Sequence, residues 1–259
     1  MLILSSNSLT VFLNKTVAFS EKLFVRYELK YVLKLLRSYL YNRTQVVNIK
    51  GYKSKQVTAS SGVPQGSILG PILFAFFIND LFHVTRFFKM LSFVDDCKLF
   101  HVIENIEDAK NLQLDLHAVF EWSVRNRLPL NINKCKVMSF SRHAGFFDAA
   151  YEISDESLLR VSIINDLGVI FDNKLSFAEH QSYVINKAKR KLGFIKRSTR
   201  DFVRPATVVS LFKSIVVPTL TYASQIWSPH SQQDHYLLEQ IVHLALRYAA
   251  LKSQPNGLD

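Results

Sequence analysis

Two aspartates stand side by side at Asp95 and Asp96, in the stretch MLSFVDDCKLFHVI, with Leu91, Phe93 and Val94 before them and Leu99 and Phe100 after. Two hydrophobic arms around a pair of acids form the pattern of a β-hairpin with the acids at its tip. Adjacent aspartates in a turn commonly do no more than accept hydrogen bonds from nearby backbone amides. Side-by-side carboxylates near a core also repel each other unless a cation neutralises them, which makes Asp95 and Asp96 candidate Mg2+ ligands. The chemistry to expect of such a pair is phosphoryl or nucleotidyl transfer. There one metal ion activates the attacking oxygen and a second the leaving oxygen, about 3.5–4 Å apart.

A second feature is the loop SSGVPQGSILGP, punctuated by Gly62, Gly66 and Gly70. It reads either as a tight turn entering a buried helix or as a loop whose small residues let backbone amides and Gln65 approach a nucleotide or base. It is no Walker loop, because no Lys follows the last Gly, and the spacing around Ser67 is wrong for a nucleophile elbow. A third feature is KAKRKLGFIKR, with six basic residues in eleven positions: Lys187, Lys189, Arg190, Lys191, Lys196 and Arg197. Singly these belong to a solvated helix face; together they form a track for a phosphate backbone. The eight histidines show no ligand spacing with either cysteine, so zinc is unsupported.

The elements that must carry these residues follow from periodicity. A helix with a basic face is expected over Phe19–Leu40, its apolar side carrying Leu23, Tyr27, Tyr31 and Leu35. Paired strands should flank Gly51. A helix entered at Pro71 and running to about Phe82 is apolar nearly all round and should be buried. After the acidic hairpin comes a long helix capped by Asn105, with Ala109, Leu112, Leu116, Val119, Phe120 and Val124 on one stripe. Strands are expected over Lys134–Ser141 and Leu167–Phe171, the latter closed by the Asp172-Asn173-Lys174 turn. Helices then dominate, over Ala178–Arg197, Pro205–Val217 and Leu237–Leu251. The domain reading is a connecting helix in 1–45, a core in 46–177 and a helical region in 178–259.

Composition bounds the class. At 259 residues, 48% hydrophobic and 20% charged, the chain can bury a real core, and its 8 Gly and 7 Pro exclude a low-complexity chain. A formal net charge of +11 favours a polyanionic partner, nucleic acid first and an anionic membrane surface second. Cys97 and Cys135 have no stapling or zinc-clamping spacing, which points to a reducing, intracellular setting in nucleus or cytoplasm, not secretion. The opening MLILSSNSLTVFL lacks a basic n-region, and the longest apolar run, Ile68–Ile78, is shorter than the roughly 20 residues of a membrane span.

The ordered set of these pieces resembles the reverse transcriptase domain of non-LTR retrotransposons, in particular the jockey-like LINE elements of animals. SSGVPQGSILGPILFAFFINDL is similar to motif B of that family, and FVDD to its motif C, usually written FADD. SYLYNRTQVVNI resembles the segment before the motif B loop, WSVRNRLPLNINKCKVMSFS motif D, and DLGVIFDNKLSF the primer-grip region. LFKSIVVPTLTYASQIWSP and LLEQIVHLALRY resemble the thumb-side tail, so the likeness covers roughly residues 20 to 250.

The resemblance implies an α+β fold, with a palm of antiparallel strands backed by helices and a helical thumb-like region after it. It implies RNA-templated DNA synthesis with an RNA template, a DNA primer or target, deoxynucleoside triphosphates and Mg2+. It makes Asp95 and Asp96 the motif C metal ligands, places Gln65 and Gly66 in the nucleotide and template pocket, and puts Lys134 and Lys136 in motif D, where a family lysine helps protonate the leaving pyrophosphate. Val94 stands where the family usually has Ala.

One departure matters most. The family adds a third carboxylate from motif A, yet no Asp precedes Asp80 and the only earlier acids are Glu21 and Glu28. VAFSEKL resembles a remnant with Ser20 at that position, but Ser20 lies too close to SYL, and the following helix puts the expected position nearer Phe12; neither supplies a ligand. The expectation is therefore a reverse transcriptase truncated at its N-terminus and impaired as this chain alone, or else an inactive nucleic-acid-binding remnant.

Overall fold

The structure, a computed structural model, describes residues 30–59, 63–64, 66–141, 149–201, 204–229 and 231–252, the side chains of 30–33 excepted. It divides into two compact units, Met1–Ser162 and Ile163–Asp259. Both mix helices with short strand pairs, in keeping with the α+β class. Among the described residues the strands pair two by two, and the pairs do not merge into one sheet.

The first unit opens with α1, Lys30–Leu40. Leu36 and Leu40, one turn apart, enter the core, while Leu35 is exposed. The buried stripe is thus rotated by one residue from the expected one, which both sets of leucines permit; the expected residues Leu23 and Tyr27 lie outside the described residues. Next comes a ribbon of two nested antiparallel pairs, β1 (Thr44–Gln45) with β4 (Val57–Thr58) and β2 (Asn48–Ile49) with β3 (Tyr52–Lys53).

Helix α2, Leu69–Ile78, begins before Pro71. Ser67 Oγ accepts from Gly70 N at 3.0 Å, satisfying one of the amides a first turn leaves open, and Pro71 then sits where no N–H is required. Leu73, Phe74, Phe77 and Ile78 are buried, but Ile72 and Phe76 are exposed, so in this unit the helix is two-sided rather than enclosed. The hairpin β5 (Lys89–Phe93) and β6 (Asp96–Phe100) pairs Phe93 with Asp96. Cys97 and Leu99 on β6 are buried while Leu91 and Phe93 on β5 are exposed, so the hairpin leans on the core through one strand.

Helix α3, Ile106–Arg125, starts with a capping box in which Asn105 and Asp108 exchange side-chain and backbone bonds. Its buried face runs through Ala109, Leu112, Leu116, Val119 and Trp122, with Val124 left exposed. Asp115 is buried on that same face and accepts from the amides of Arg86, Phe87 and Phe88, each at 2.9 Å. That triple bond set fixes the chain just before β5 and so positions the hairpin. The unit ends with β7 (Lys136–Val137), the hairpin β8 (Glu152–Ile153) and β9 (Glu156–Ser157), and β10 (Leu159–Arg160), which pairs with β7 in parallel. The strand expected over Lys134–Ser141 is only two residues long.

The second unit begins with the hairpin β11 (Ile163–Asp166) and β12 (Val169–Asp172). Asp172 accepts from the amides of Lys174, Ser176 and Phe177 and from Ser176 Oγ, tying the turn before α4, Ala178–Ser198. Ile185, Ala188, Leu192 and Ile195 of α4 meet Ile241, Ala245 and Ala249 of α8, Gln232–Leu251. Between them, α5 (Pro205–Leu211) passes through a π turn, Phe212–Val216, into α6 (Val217–Thr221). Pro218 lacks an N–H and crowds the preceding turn, which accounts for the widened backbone there. A four-residue α7, Ser224–Trp227, buries Trp227.

Candidate active site

Asp95 sits in the two-residue loop Val94-Asp95 that joins β5 to β6, and Asp96 is the first residue of β6. The tip is therefore Val94 and Asp95 rather than the two acids together. Val94 has φ 55 while Asp95 is not in the left-handed region. That is the pattern of a type II′-like turn, which normally wants glycine at its first position. A β-branched residue there is strained, and Ser92 Oγ, donating to Val94 O at 3.2 Å, braces it.

A cavity of about 1440 Å3 lies in front of this turn. Val94, Asp95 and Ser92 form part of its wall, and Gly66, Ser67 and Gly70 another part. Gly66 has φ 80, a conformation other residues rarely adopt, and at Gly70 a Cβ would come within 3.1 Å of Ser67 Oγ and 3.2 Å of Pro64 O. The glycines thus let the loop fold back tightly along the cavity. Gln65 lies outside the described residues.

Arg43, Gln45 and Asn79 also line the cavity, and sequence reasoning missed all three. Arg43 sits at the base of the β1–β4 pair, where its Nε donates to Leu40 O at 3.2 Å. Its signal was only its place in SYLYNRTQVVNI. Asp96 does not line the cavity; on β6 it shares a strand face with Lys98 and Phe100, opposite buried Cys97 and Leu99. Lys134, exposed, and Lys136, half-buried in β7, do not line it either.

The electrostatics are readable at Cys97. Burial pushes its thiol up most, and the negative charges of Asp96 and Asp95 push it further against the hydrogen bond with Ser92. Two carboxylates are hard oxygen donors of the kind a divalent ion takes. Among the described residues no group of three His, Cys, Asp or Glu side chains could hold a metal ion. The positions at which a motif A Asp is expected, Phe12 and Ser20, lie outside the described residues.

In the second unit the basic cluster splits by environment. Lys189, Arg190 and Arg197 are exposed on α4. Lys187 Nζ bonds Tyr183 OH at 3.3 Å and lies 5.2 Å from its ring centre, and Lys196 Nζ lies 5.5 Å from the Tyr248 ring. Lys191 points inward instead, donating to Thr219 Oγ1 at 2.6 Å and Ile215 O at 3.1 Å. It stabilises the π turn near Pro218 and is not placed like a phosphate contact.

An acidic hairpin turn and a glycine-punctuated loop thus share one cavity in a unit that mixes helices and strand pairs. Residues 14–194 match the profile of the family described as reverse transcriptase (RNA-dependent DNA polymerase), and the chain belongs to that family. Among curated relatives it is 26% identical over 203 residues to the RNA-directed DNA polymerase from mobile element jockey of Drosophila melanogaster, covering 74% of this chain and 22% of that protein. It is 26% identical over 200 residues to the probable RNA-directed DNA polymerase from transposon X-element of the same fly, covering 74% and 22%. A third relative, the probable RNA-directed DNA polymerase from transposon BS, is 26% identical over 229 residues, covering 82% and 25%. The chain is thus a reverse transcriptase domain of the non-LTR retrotransposon type, and it spans about a quarter or less of the length of these relatives.

Proposed function

We propose that this chain is the palm and thumb portion of an RNA-directed DNA polymerase, with Asp95, which lines the cavity, and its neighbour Asp96, which does not, as its divalent-metal ligands. The observation that carries the reading is the shared cavity: Asp95 in its hairpin turn and Gly66 in the loop after the ribbon line the same wall system. In this reading the β5–β6 hairpin with α2 and α3 belongs to the palm, residues 46–177, and the helices of residues 178–259 are the thumb-like region. The substrates are deoxynucleoside triphosphates, with an RNA template and a DNA primer or target.

Mg2+ bound at Asp95 and Asp96 would lower the charge on the reacting phosphate and the pKa of the primer 3′ hydroxyl. The chain's own residues do the rest. Gly66 and Ser67 would let backbone approach a base or sugar, and Arg43 contributes a cation to the cavity lining that would attract the phosphates. Lys134 and Lys136 are proposed for the motif D region, although neither lines the cavity. Lys187, Lys189, Arg190, Lys196 and Arg197 are proposed for the nucleic-acid backbone.

Two carboxylates without a third hold a two-ion centre poorly, so polymerisation by this chain alone should be severely reduced. Primer extension on an RNA template, with Mg2+ titration calorimetry, tests this. Weak extension and Mg2+ binding that are both lost in Asp95→Asn support the reading; equal Mg2+ binding by wild type and variant removes the metal role. The two-carboxylate set also favours a second reading, a binding remnant without catalysis, for which nucleic-acid binding with no extension by either protein is the expected result.

A further inference from the structure

The ribbon from Arg43 to Ala59 has no core of its own. Residues 44–58 are all exposed, with Tyr52 at 84% and its cross-strand partner Ile49 at 66%. It is nevertheless well formed. The tip residues Lys50 and Gly51 have φ 50 and 93, as a type I′ turn demands, and Gly51 N donates to Asn48 Oδ1 at 3.1 Å. Where the two strand pairs meet, Ser54 N donates to Val47 O at 2.9 Å while its Oγ accepts from Val47 N at 3.0 Å. An isolated two-stranded ribbon is marginal in water, so exposure of an aromatic and an isoleucine at its end calls for a partner.

The charge says which partner. Arg43, Lys50, Lys53 and Lys55 lie on the ribbon, and no Asp or Glu occurs between Glu28 and Asp80. The ribbon's base also continues the candidate active site, since Arg43, Thr44, Gln45 and Ala59 line the cavity that holds Asp95 and Gly66. A polyanion occupying that cavity would run on along the cations. We propose that the ribbon is an arm that binds single-stranded nucleic acid as it enters or leaves the Asp95 cavity, the strand running along the ribbon's edge so that Lys50, Lys53 and Lys55 reach phosphates while Tyr52, on the face opposite Lys53, stacks on an unpaired base. From Gln45 to Lys50 a strand rises about 16 Å, the length of roughly five stacked nucleotides. Stacking on a side chain requires a base free of its own duplex, which is why the occupant is a single strand. The inference rests on the polymerase reading of the cavity.

Fluorescence anisotropy with the full chain in EDTA tests it, using single-stranded RNA, single-stranded DNA and a blunt duplex as probes. The triple variant Lys50→Gln, Lys53→Gln, Lys55→Gln should bind single strands at least about tenfold more weakly near 0.1 M salt, with a log–log salt slope smaller by about 2, at about 0.7 per phosphate contact. Tyr52→Ala should lose about tenfold on single strands and nothing on duplex, with Tyr52→Phe restoring binding. Stronger binding of RNA than of DNA assigns the strand to the template; the reverse assigns it to the primer or target. Wild-type binding by both the triple variant and Tyr52→Ala overturns the proposal, as does an equal loss on duplex in Tyr52→Ala. Circular dichroism melts matching wild type show that the exposed substitutions leave the fold intact, and the single variant Lys50→Gln at the tip repeats the test if the triple one does not fold. Because EDTA removes the metal, failure of the two ideas separates. Ribbon-dependent binding without any primer extension sinks the catalytic reading alone, whereas extension with ribbon-independent binding sinks the arm alone.

Discussion

The hairpins β5–β6 and β11–β12 are alike in outline and opposite in construction. Each joins two antiparallel strands through two residues. In β11–β12 the loop is Leu167-Gly168 at φ 47 and 84, a type I′ turn, and Tyr222 OH donates to Leu167 O at 2.7 Å with its ring against Gly168. Gly168 suits the second position of that turn and Leu167 does not suit the first, but the Tyr222 contact and the four bonds to Asp172 hold it. In β5–β6 the loop puts Val94 at φ 55, 60% exposed, beside two acids. Local preference and observed conformation disagree at Val94, as they do at Leu167, and what differs is that Val94 has, among the described residues, no side chain like Tyr222 packed on its turn. The second hairpin is held by Tyr222 at its tip and Asp172 at its base, the first chiefly by Asp115 at its base.

That difference can be broken first at the base. Asp115→Ala removes the acceptor of three backbone amides, two of them half-buried and that of Phe88 buried. Unpaired buried donors and the lost charge-assisted bonds should cost about 3–5 kcal/mol, read from urea denaturation. Asp115→Asn keeps one acceptor oxygen and should fall between. A loss under about 1 kcal/mol for the alanine variant would mean that the hairpin is not anchored through Asp115.

At the other hairpin, Gly168→Ala must place a Cβ at 3.4 Å from the Tyr222 ring with φ at 84. The contact is ordinary but the backbone is not, and the expected loss is about 1–2 kcal/mol. No shift in the urea midpoint would show that the turn relaxes freely.

The parts legible in the sequence were those specified locally. Asn105 marks the start of α3 because its cap bonds close within four residues, and α4 ends within one residue of its expected stop because its apolar stripe is regular. That Asp95 and Gly66 line one cavity was not specified by either local pattern. What was not legible depends on distant partners. Asp115 looks like a misplaced charge on an apolar face until its amides, 27 to 29 residues earlier, are seen. Lys191 looks like its basic neighbours until Ile215 and Thr219, far along the chain, claim it. Whether Leu35 or Leu36 faces the core is equally invisible from a helix carrying leucine at both. The exposed side of α2 escaped for a related reason, since near-uniform apolarity gives no direction to read.

A smaller effect distinguishes the second unit in acid. His180 is buried against Trp227, accepts from Ile170 N on β12 through Nδ1 at 3.1 Å, and has no hydrogen-bond partner at Nε2. Burial holds its pKa below the usual histidine value. The unfolded chain therefore takes up the proton first as pH falls below about 6.5, so this group's contribution to stability is constant above that pH and declines beneath it toward the folded pKa. Urea midpoints between pH 5 and 8 should show that decline, and His180→Asn, which keeps an acceptor for Ile170 N, should flatten it. An unchanged slope in the variant would assign the acid sensitivity elsewhere.

The finest break lies at the turn itself. Val94→Gly relieves a left-handed valine, worth about 1–3 kcal/mol, and gives back about 0.5–1 kcal/mol through the greater freedom of glycine in the unfolded chain. The net expectation is a gain of about 1 kcal/mol, opposite in sign to Gly168→Ala, measured by the same denaturation. Because glycine also frees the loop around Asp95, the more stable variant should bind Mg2+ more weakly in calorimetry. A variant that gains stability and keeps full Mg2+ affinity would show that the strain is incidental, and one that loses stability would show that the turn is not strained at all.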